Sequence, residues 1–306
     1  MGTPAAAVPT LARCLADGHE IAAVWTQPDR PAGRGNKLTP PPVKEFALAQ
    51  GLTVHQPAKI KTAETRELFA SHQADAAIVV AYGRILPLSY LQATRYGCVN
   101  VHFSLLPAFR GAAPVNWAIV RDARESGVTT MLMDEGLDTG DILRQRAAPI
   151  GPDETTPELL ARLSDIGAEL LSETLRQFHA LNPQPQNHSQ ATFAPIMQRE
   201  DGLLDWNLTA QAIHCRVRGF QPWPNAFTMF RGAKLVVWRA AIDETLTDAA
   251  PGTIIAAKGD NLRAACGGGA VLQLCEVQPE GKRRLPVRDF LNGARAQVGE
   301  LLGSLT

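Results

Sequence analysis

What most constrains this chain is a change of rhythm along its first 150 residues. Short β-branched or apolar runs, EIAAVWT (20–26), LTVHQ (52–56), AAIVVAY (76–82), CVNVHF (98–103) and VTTMLMD (128–134), alternate with helical patterns. Apolar runs this short predict strands covered on both faces, as in a parallel sheet. The intervening Val8 to Asp17 and Val43 to Gln50 each stop at a glycine, Gly18 and Gly51, suited to a left-handed helix cap. Strand and helix in alternation mean βαβ units, and hence an α/β fold with a doubly wound, mostly parallel sheet. Ligands of such sheets sit beyond the carboxyl ends of the strands.

A helix is predicted from Thr156 to Leu181, with Leu159, Leu160, Leu163, Ile166, Leu170, Leu171 and Leu175 at helical spacing. Then NPQPQNHSQ (182–190) loses all periodicity and reads as a linker. Beyond it come a short helix, Thr209 to Arg218, and about five strands: NAFTMF, KLVVWRAAI, GTIIAA, LRAACG and AVLQLCEVQP. Their spacing predicts a small OB-like β-barrel. The expected organisation is a domain over 1–181, a linker over 182–202 and the barrel over 203–306.

Thirty Lys and Arg balance thirty Asp and Glu, so no whole-molecule field draws this chain to nucleic acid or an anionic membrane. A polyanionic partner would need local patches. No uncharged apolar run approaches the ~18 residues that span a bilayer, and the start has no signal-peptide pattern. Five scattered cysteines without a C-x-x-C argue against a disulfide framework or structural zinc, and for the cytoplasm. The seven histidines show no metal-binding spacing, so no metal is expected.

The densest stretch is VNVHFSLLPAFRGAAPVNWAI (99–119). Asn100 and His102 lie two apart on a predicted strand and so face the same way. Two polar groups on one buried face need partners or a ligand. Either alone reads equally well as a satisfied core residue. Ahead lies DEGLDTGDI (134–142), four acids in eight residues with Gly136 and Gly140 for turning, at the carboxyl end of a predicted strand. By itself it reads as a solvated loop. An amide, an imidazole and a carboxylate converging at strand ends is a reaction-centre pattern.

NVHFSLLPAFRGAAP followed by GLDTGDIL resembles the 10-formyltetrahydrofolate-dependent formyltransferases. TQPDRPAGRG (26–35) and FQPWPNAF (220–227) narrow the resemblance to the branch that formylates methionyl-tRNA. It implies a Rossmann-like catalytic domain in which Asn100, His102 and Asp138 are the catalytic trio. The formyl group would pass from 10-formyltetrahydrofolate to the α-amine of methionyl initiator tRNA, with no metal and no covalent enzyme intermediate. Asn100 and His102 would stabilise the formyl oxygen, while Asp138 would orient the imidazole and accept the amine proton.

The same resemblance implies a folate pocket. Ser104, Leu105, Leu106 and Pro107 would touch the folate. Tyr82, Gly83, Arg84, Ile85 and Leu86 would form the wall of the pterin slot, and Asp134, Glu135 and Gly136 its end. The basic loop Gln27 to Pro42 carries Arg30, Arg34 and Lys37, with Lys44 beyond; Gly33 and Gly35 start a G-x-G-x-x-G that Leu38 fails to complete. By resemblance this loop grips the tRNA acceptor stem. Lys282, Arg283 and Arg284 form a second basic cluster, on the expected barrel, suited to tRNA phosphates. The expected assembly is a monomer.

Three departures from the family pattern stand out. The chain opens at MGTP, where the family has an apolar interior strand before this turn, which points to a start lying upstream. Ala5 and Ala6 stand where an acid and a Phe are usual, and Ile196 stands where a linker Lys is usual, with Arg199 nearby. The rival readings are a formyltransferase acting on glycinamide ribonucleotide or an amino-sugar nucleotide, a hydrolase of the same donor, and an idle RNA-binding protein.

Overall fold

A computed structural model of the chain describes residues 1–32, 35 and 37–303. The chain divides into two compact units, one of residues 1–114, 125–149 and 160–195, the other of 115–124, 150–159 and the residues from 196 on. Segments 115–124 and 150–159 therefore group with the second unit although they precede the expected linker. The cause is local. The Gly219 carbonyl accepts from Asn116 Nδ2 at 2.7 Å and from Thr156 Oγ1 at 2.8 Å. A side chain at Gly219 would strike Val120.

The strands of the first unit are β1 Val24–Trp25, β2 Arg30–Ala32, β3 Lys37–Thr39, β4 Val54–His55, β5 Ala77–Val79, β6 Cys98–His102, β7 Arg110–Gly111, β8 Glu125–Leu132, β9 Ile142–Pro149 and β10 Phe193–Ala194. Four of them form a sheet in the order β5-β6-β8-β9. The pairing of β5 with β6 is parallel, whereas β8 runs antiparallel to both β6 and β9. The connection over 133–141 is too short for a crossover, which needs a dozen residues or more, so β8 and β9 pair antiparallel. The sequence pattern did not anticipate β9. It is an edge strand whose Arg146 reaches Glu169 and Glu173, and such charges hide a strand from an apolar-run search.

On the other side β1 and β4 form a separate parallel pair. Met1 and Gly2 bridge it to β5. The Gly2 amide donates to the Trp25 carbonyl, and the Val80 amide donates to the Met1 carbonyl, each at 2.9 Å. The Met1 ammonium donates to the Ile78 carbonyl at 2.7 Å, and burial pushes its pKa down to about 6. Beyond this bridge the space between residues 20–24 and 74–78 is open. It holds cavities of about 140 and 430 Å³, lined by residues including Cys14, Ile21, Ala22, Ala76 and Ile78.

The helices Val8–Ala16 and Pro42–Ala49 end near Gly18 and Gly51, both at positive φ. The long helix runs Thr156–Arg176 and gives way to a 3₁₀ turn at Phe178–Ala180. Its Gly167 lets the helix lie close to the sheet, where a Cβ would come within 2.9 Å of Val101.

In the second unit, Thr209 caps the helix Ala210–Gly219 by accepting from the Ala212 amide. Then follow β11 Phe227–Phe230, β12 Ala233–Asp243, β13 Ile254–Lys258, β14 Asn261–Ala265, β15 Val271–Pro279, β16 Leu285–Pro286 and β17 Leu302–Gly303. The antiparallel order is β13-β14-β15-β12-β11-β17, with β16 beside β15. Its two ends meet at a Thr253–Leu301 bridge, with the Ile254 amide on the Glu300 carbonyl at 2.8 Å, so the sheet closes on itself. Leu235, Val237, Leu262, Leu272, Leu274 and Val277 belong to its buried core.

Candidate active site

Strand β6 is buried along its whole length, and its alternation puts Asn100 and His102 on one face. Parallel β5 pairs with Asn100 through Val79, and antiparallel β8 pairs with it through Met131. Both backbone edges are thus held. Among the described residues, no hydrogen bond satisfies the Asn100 side chain, which is 8% exposed. A buried amide in that state is an open donor and acceptor.

His102 is fixed at both ring nitrogens. Its Nε2 lies 3.1 Å from the Phe109 carbonyl. A carbonyl can only accept, so Nε2 carries the proton and the neutral ring keeps its lone pair on Nδ1. Nδ1 faces Asp138 Oδ2 at 3.7 Å, too far for a hydrogen bond but close enough for charge to be felt.

Asp138 reaches His102 by a route the sequence did not suggest. Because β8 is antiparallel, it ends beside the start of β6, where the Met133 amide donates to the Cys98 carbonyl at 2.8 Å. The loop must run back over the face carrying Asn100 and His102. Asp134 shapes it, its Oδ1 accepting from the Gly136 amide at 3.0 Å and from Thr139 Oγ1 at 2.6 Å. Asp138 itself sits at φ 52°, a left-handed conformation uncommon for a residue with a side chain. Its Oδ2 accepts from the Gly111 amide at 2.8 Å.

Between His102 and Asp138's partner strand lies the 104–107 segment. Ser104 is fully buried, and its hydroxyl donates to the Ala108 carbonyl at 2.6 Å, so it shapes the turn rather than facing a ligand. Thr129 Oγ1 donates to the Ser104 carbonyl at 2.6 Å and accepts from the Leu106 amide at 3.1 Å. Gln145 Nε2 donates to the Leu106 carbonyl at 2.8 Å. Leu106 is buried, while Leu105 and Pro107 are half-buried. Sequence reasoning missed Thr129, which read as an ordinary strand residue, and Gln145, which lies on the unanticipated β9.

The 82–86 segment divides by burial. The rings and side chains of Tyr82 and Leu86 enter the core, where burial pushes the Tyr82 phenol up to about 12. Gly83 and Ile85 are exposed, Ile85 by 76%. Arg84 donates to the Ala58 carbonyl at 2.9 Å. Gln27 Nε2 holds the segment through the Tyr82 and Gly83 carbonyls, at 3.0 and 3.1 Å. Glu135, Gly136 and Leu137 are exposed on the facing loop.

The basic groups differ in availability. Lys44 is bound to both oxygens of Asp29 at 2.7 and 2.8 Å, and this contact holds the Asp29 carboxyl below its usual range; Lys44 is thus engaged within the protein rather than free for phosphate. Arg284 pairs with Glu276 and lies over the Trp238 ring at 5.0 Å. Arg30 is exposed but donates to Gln27 at 2.7 Å. Lys37, Lys282 and Arg283 are exposed, and Arg34 lies outside the described residues. Ala6 is buried in a 3₁₀ turn, and Ile196 is 69% exposed.

The chain is similar to known proteins over nearly its whole length. The formyl transferase family profile matches residues 1–175, and the profile of the formyl transferase C-terminal domain matches 196–295. A methionyl-tRNA formyltransferase of Citrifermentans bemidjiense is 47% identical over 99% of this chain and 95% of its own. One from Solibacter usitatus is 48% identical over 99% of this chain and 97% of its own. Among solved structures, the sugar 3N-formyl transferase WlaRD, determined in the presence of dTDP and 5-N-formyl-THF, shares the fold at a TM-score of 0.67 and 17% identity. That likeness covers 92% of this chain and 97% of WlaRD.

Proposed function

Since the chain belongs to the formyl transferase family, we propose that it carries a formyl group from 10-formyltetrahydrofolate to the α-amine of methionyl initiator tRNA. One observation carries the chemical reading: an unpartnered Asn100 amide shares a buried face with His102, whose lone-pair nitrogen looks toward Asp138 at 3.7 Å. The acceptor reading is supported by relatives nearly half identical along the whole chain and bearing the methionyl-tRNA formyltransferase name. Five free cysteines fit a cytoplasmic setting.

The residues divide the work. Asn100 donates its amide N–H to the formyl oxygen as negative charge builds there, work worth ~3–4 kcal/mol for one well-placed donor. His102 does not share that task through Nε2, which the Phe109 carbonyl holds. Its Nδ1 takes the proton released by the attacking amine and returns it to the departing nitrogen. The Asp138 carboxylate, oriented by the Gly111 amide, stabilises the imidazolium that forms beside it. The donor supplies the activated carbon. Gly83, Ile85, Leu137 and the 105–107 main chain offer the flat, mostly apolar surface that a heterocycle requires. Lys37, Lys282 and Arg283 are the exposed cations suited to tRNA phosphates.

The test is a transfer assay with 10-formyltetrahydrofolate and charged initiator tRNA, glycinamide ribonucleotide and an amino-sugar nucleotide offered in parallel. Formylation of methionyl-tRNA is expected. Turnover confined to a nucleotide acceptor, or to water, would overturn the acceptor assignment.

A further inference from the structure

Asp138 is held in place by more than the Gly111 amide. Gln186, in the stretch that reads as a linker, is 6% exposed. Its Nε2 donates to the Asp138 carbonyl at 2.9 Å and to the Gly140 carbonyl at 2.7 Å. Its Oε1 accepts from Arg110 Nε at 3.1 Å and Nη2 at 2.6 Å. A guanidinium can only donate, so Arg110 dictates which end of the Gln186 amide turns toward the loop. Arg110 is 3% exposed, and among the described residues its guanidinium meets no carboxylate; it also donates to His188 Nδ1 at 3.2 Å.

We propose that Gln186 and Arg110 are positioning residues for Asp138, clamping its left-handed backbone so that the carboxylate stands beside His102. Three features argue for a locating role over general packing. The two carbonyls gripped by Gln186 are that of Asp138 itself, at a left-handed φ, and that of Gly140 two residues on. Arg110 precedes Gly111, whose amide holds the carboxylate, so one two-residue strand fixes both ends of the aspartate. That strand is in turn tied down by β10, with the Arg110 amide on the Thr192 carbonyl at 2.8 Å and the Phe109 amide on Thr192 Oγ1 at 2.8 Å. Phe109 also supplies the carbonyl that sets the His102 tautomer. The stretch 184–194 thus braces histidine and aspartate together.

This inference rests on the reading of Asp138 as part of the reaction centre, and the test separates the two. Gln186→Glu keeps an acceptor for Arg110 but loses both donors to the loop. Its kcat is expected to fall about 10- to 100-fold, the scale of an ångström-sized misplacement, with KM for donor and tRNA within about twofold. In an Asp138→Ala background the same change should leave kcat unaltered, because no carboxylate remains to be misplaced. Gln186→Asn, which keeps the amide but shortens its reach, should repeat the pattern in a side chain without added charge. An unchanged kcat in the parent background, or an equal proportional loss in both backgrounds, would overturn the positioning role. A parent chain without formyl transfer would overturn the functional reading and this inference with it.

Discussion

The two flanks of β6 are built differently. Toward β8 and β9 the ladder runs over long strands, broken by one register shift between Thr130 and Met131, and it carries Thr129, Gln145 and the loop bearing Asp138. Toward β1 the sheet thins to a three-residue strand, a two-residue bridge and a two-residue pair, with an open channel between residues 20–24 and 74–78. The face carrying Asn100 and His102 takes its rigidity from the first flank. The second flank supports the 82–86 wall mainly through Gln27. Placement of the proposed catalytic groups and stability of the sheet are therefore carried by different regions, and changes can be made to one without the other.

The largest expected effect lies on the rigid flank. Asn100→Ala should lower kcat about 10²- to 10³-fold, as for loss of one oxyanion donor. It removes no side-chain hydrogen bond among the described residues, so the melting temperature should move by little, and a large fall in Tm would show that Asn100 is a structural residue. A middle-sized effect belongs to the open flank. Four or five extended apolar residues placed ahead of Met1 should enter the channel, replace the buried ammonium by an amide and cover side chains worth ~1.5–3 kcal/mol each before ordering costs. A Tm raised by at least about 2–4 °C with kcat little changed is expected, the shift for a net 1 kcal/mol in a domain of this size. An unchanged or lower Tm would mean that the channel is no strand acceptor.

The smallest effect is a pH dependence on the same flank. His55 stacks on His72 at 5.2 Å, and the Nε2 atoms of both are buried without a partner among the described residues. Burial first, and His72 second, holds the His55 pKa below the usual 6.5. The unfolded chain then binds the proton more readily, so stability is full above pH 6.5 and is lost as pH falls through that value. Burial also lowers His214, in the second unit, and it contributes with the same sign. His55→Gln should flatten part of the fall in Tm between about pH 7.5 and 5.5; an unaltered slope would assign the dependence elsewhere.

Much of this was legible in the chain itself. Apolar runs and glycine stops located four of the eight α-helices among the described residues and most strands, because both depend on neighbours a few residues away. Asn100 and His102 were legible for the same reason, since period-two geometry decides a shared face. The basic residues were legible only as charges. That Lys44 meets Asp29 while Lys37 faces solvent depends on segments brought together by folding.

The linear order of residues was enough to establish which groups stand on β6 and which loop could supply an acid. It did not determine how that acid arrives, which imidazole nitrogen is free, or that a glutamine 48 residues from Asp138 braces it. Those were settled by strand direction and by hydrogen bonds between distant segments. Periodicity records only which way a side chain points from its own backbone, whereas a donor finds its acceptor only after the intervening chain has packed.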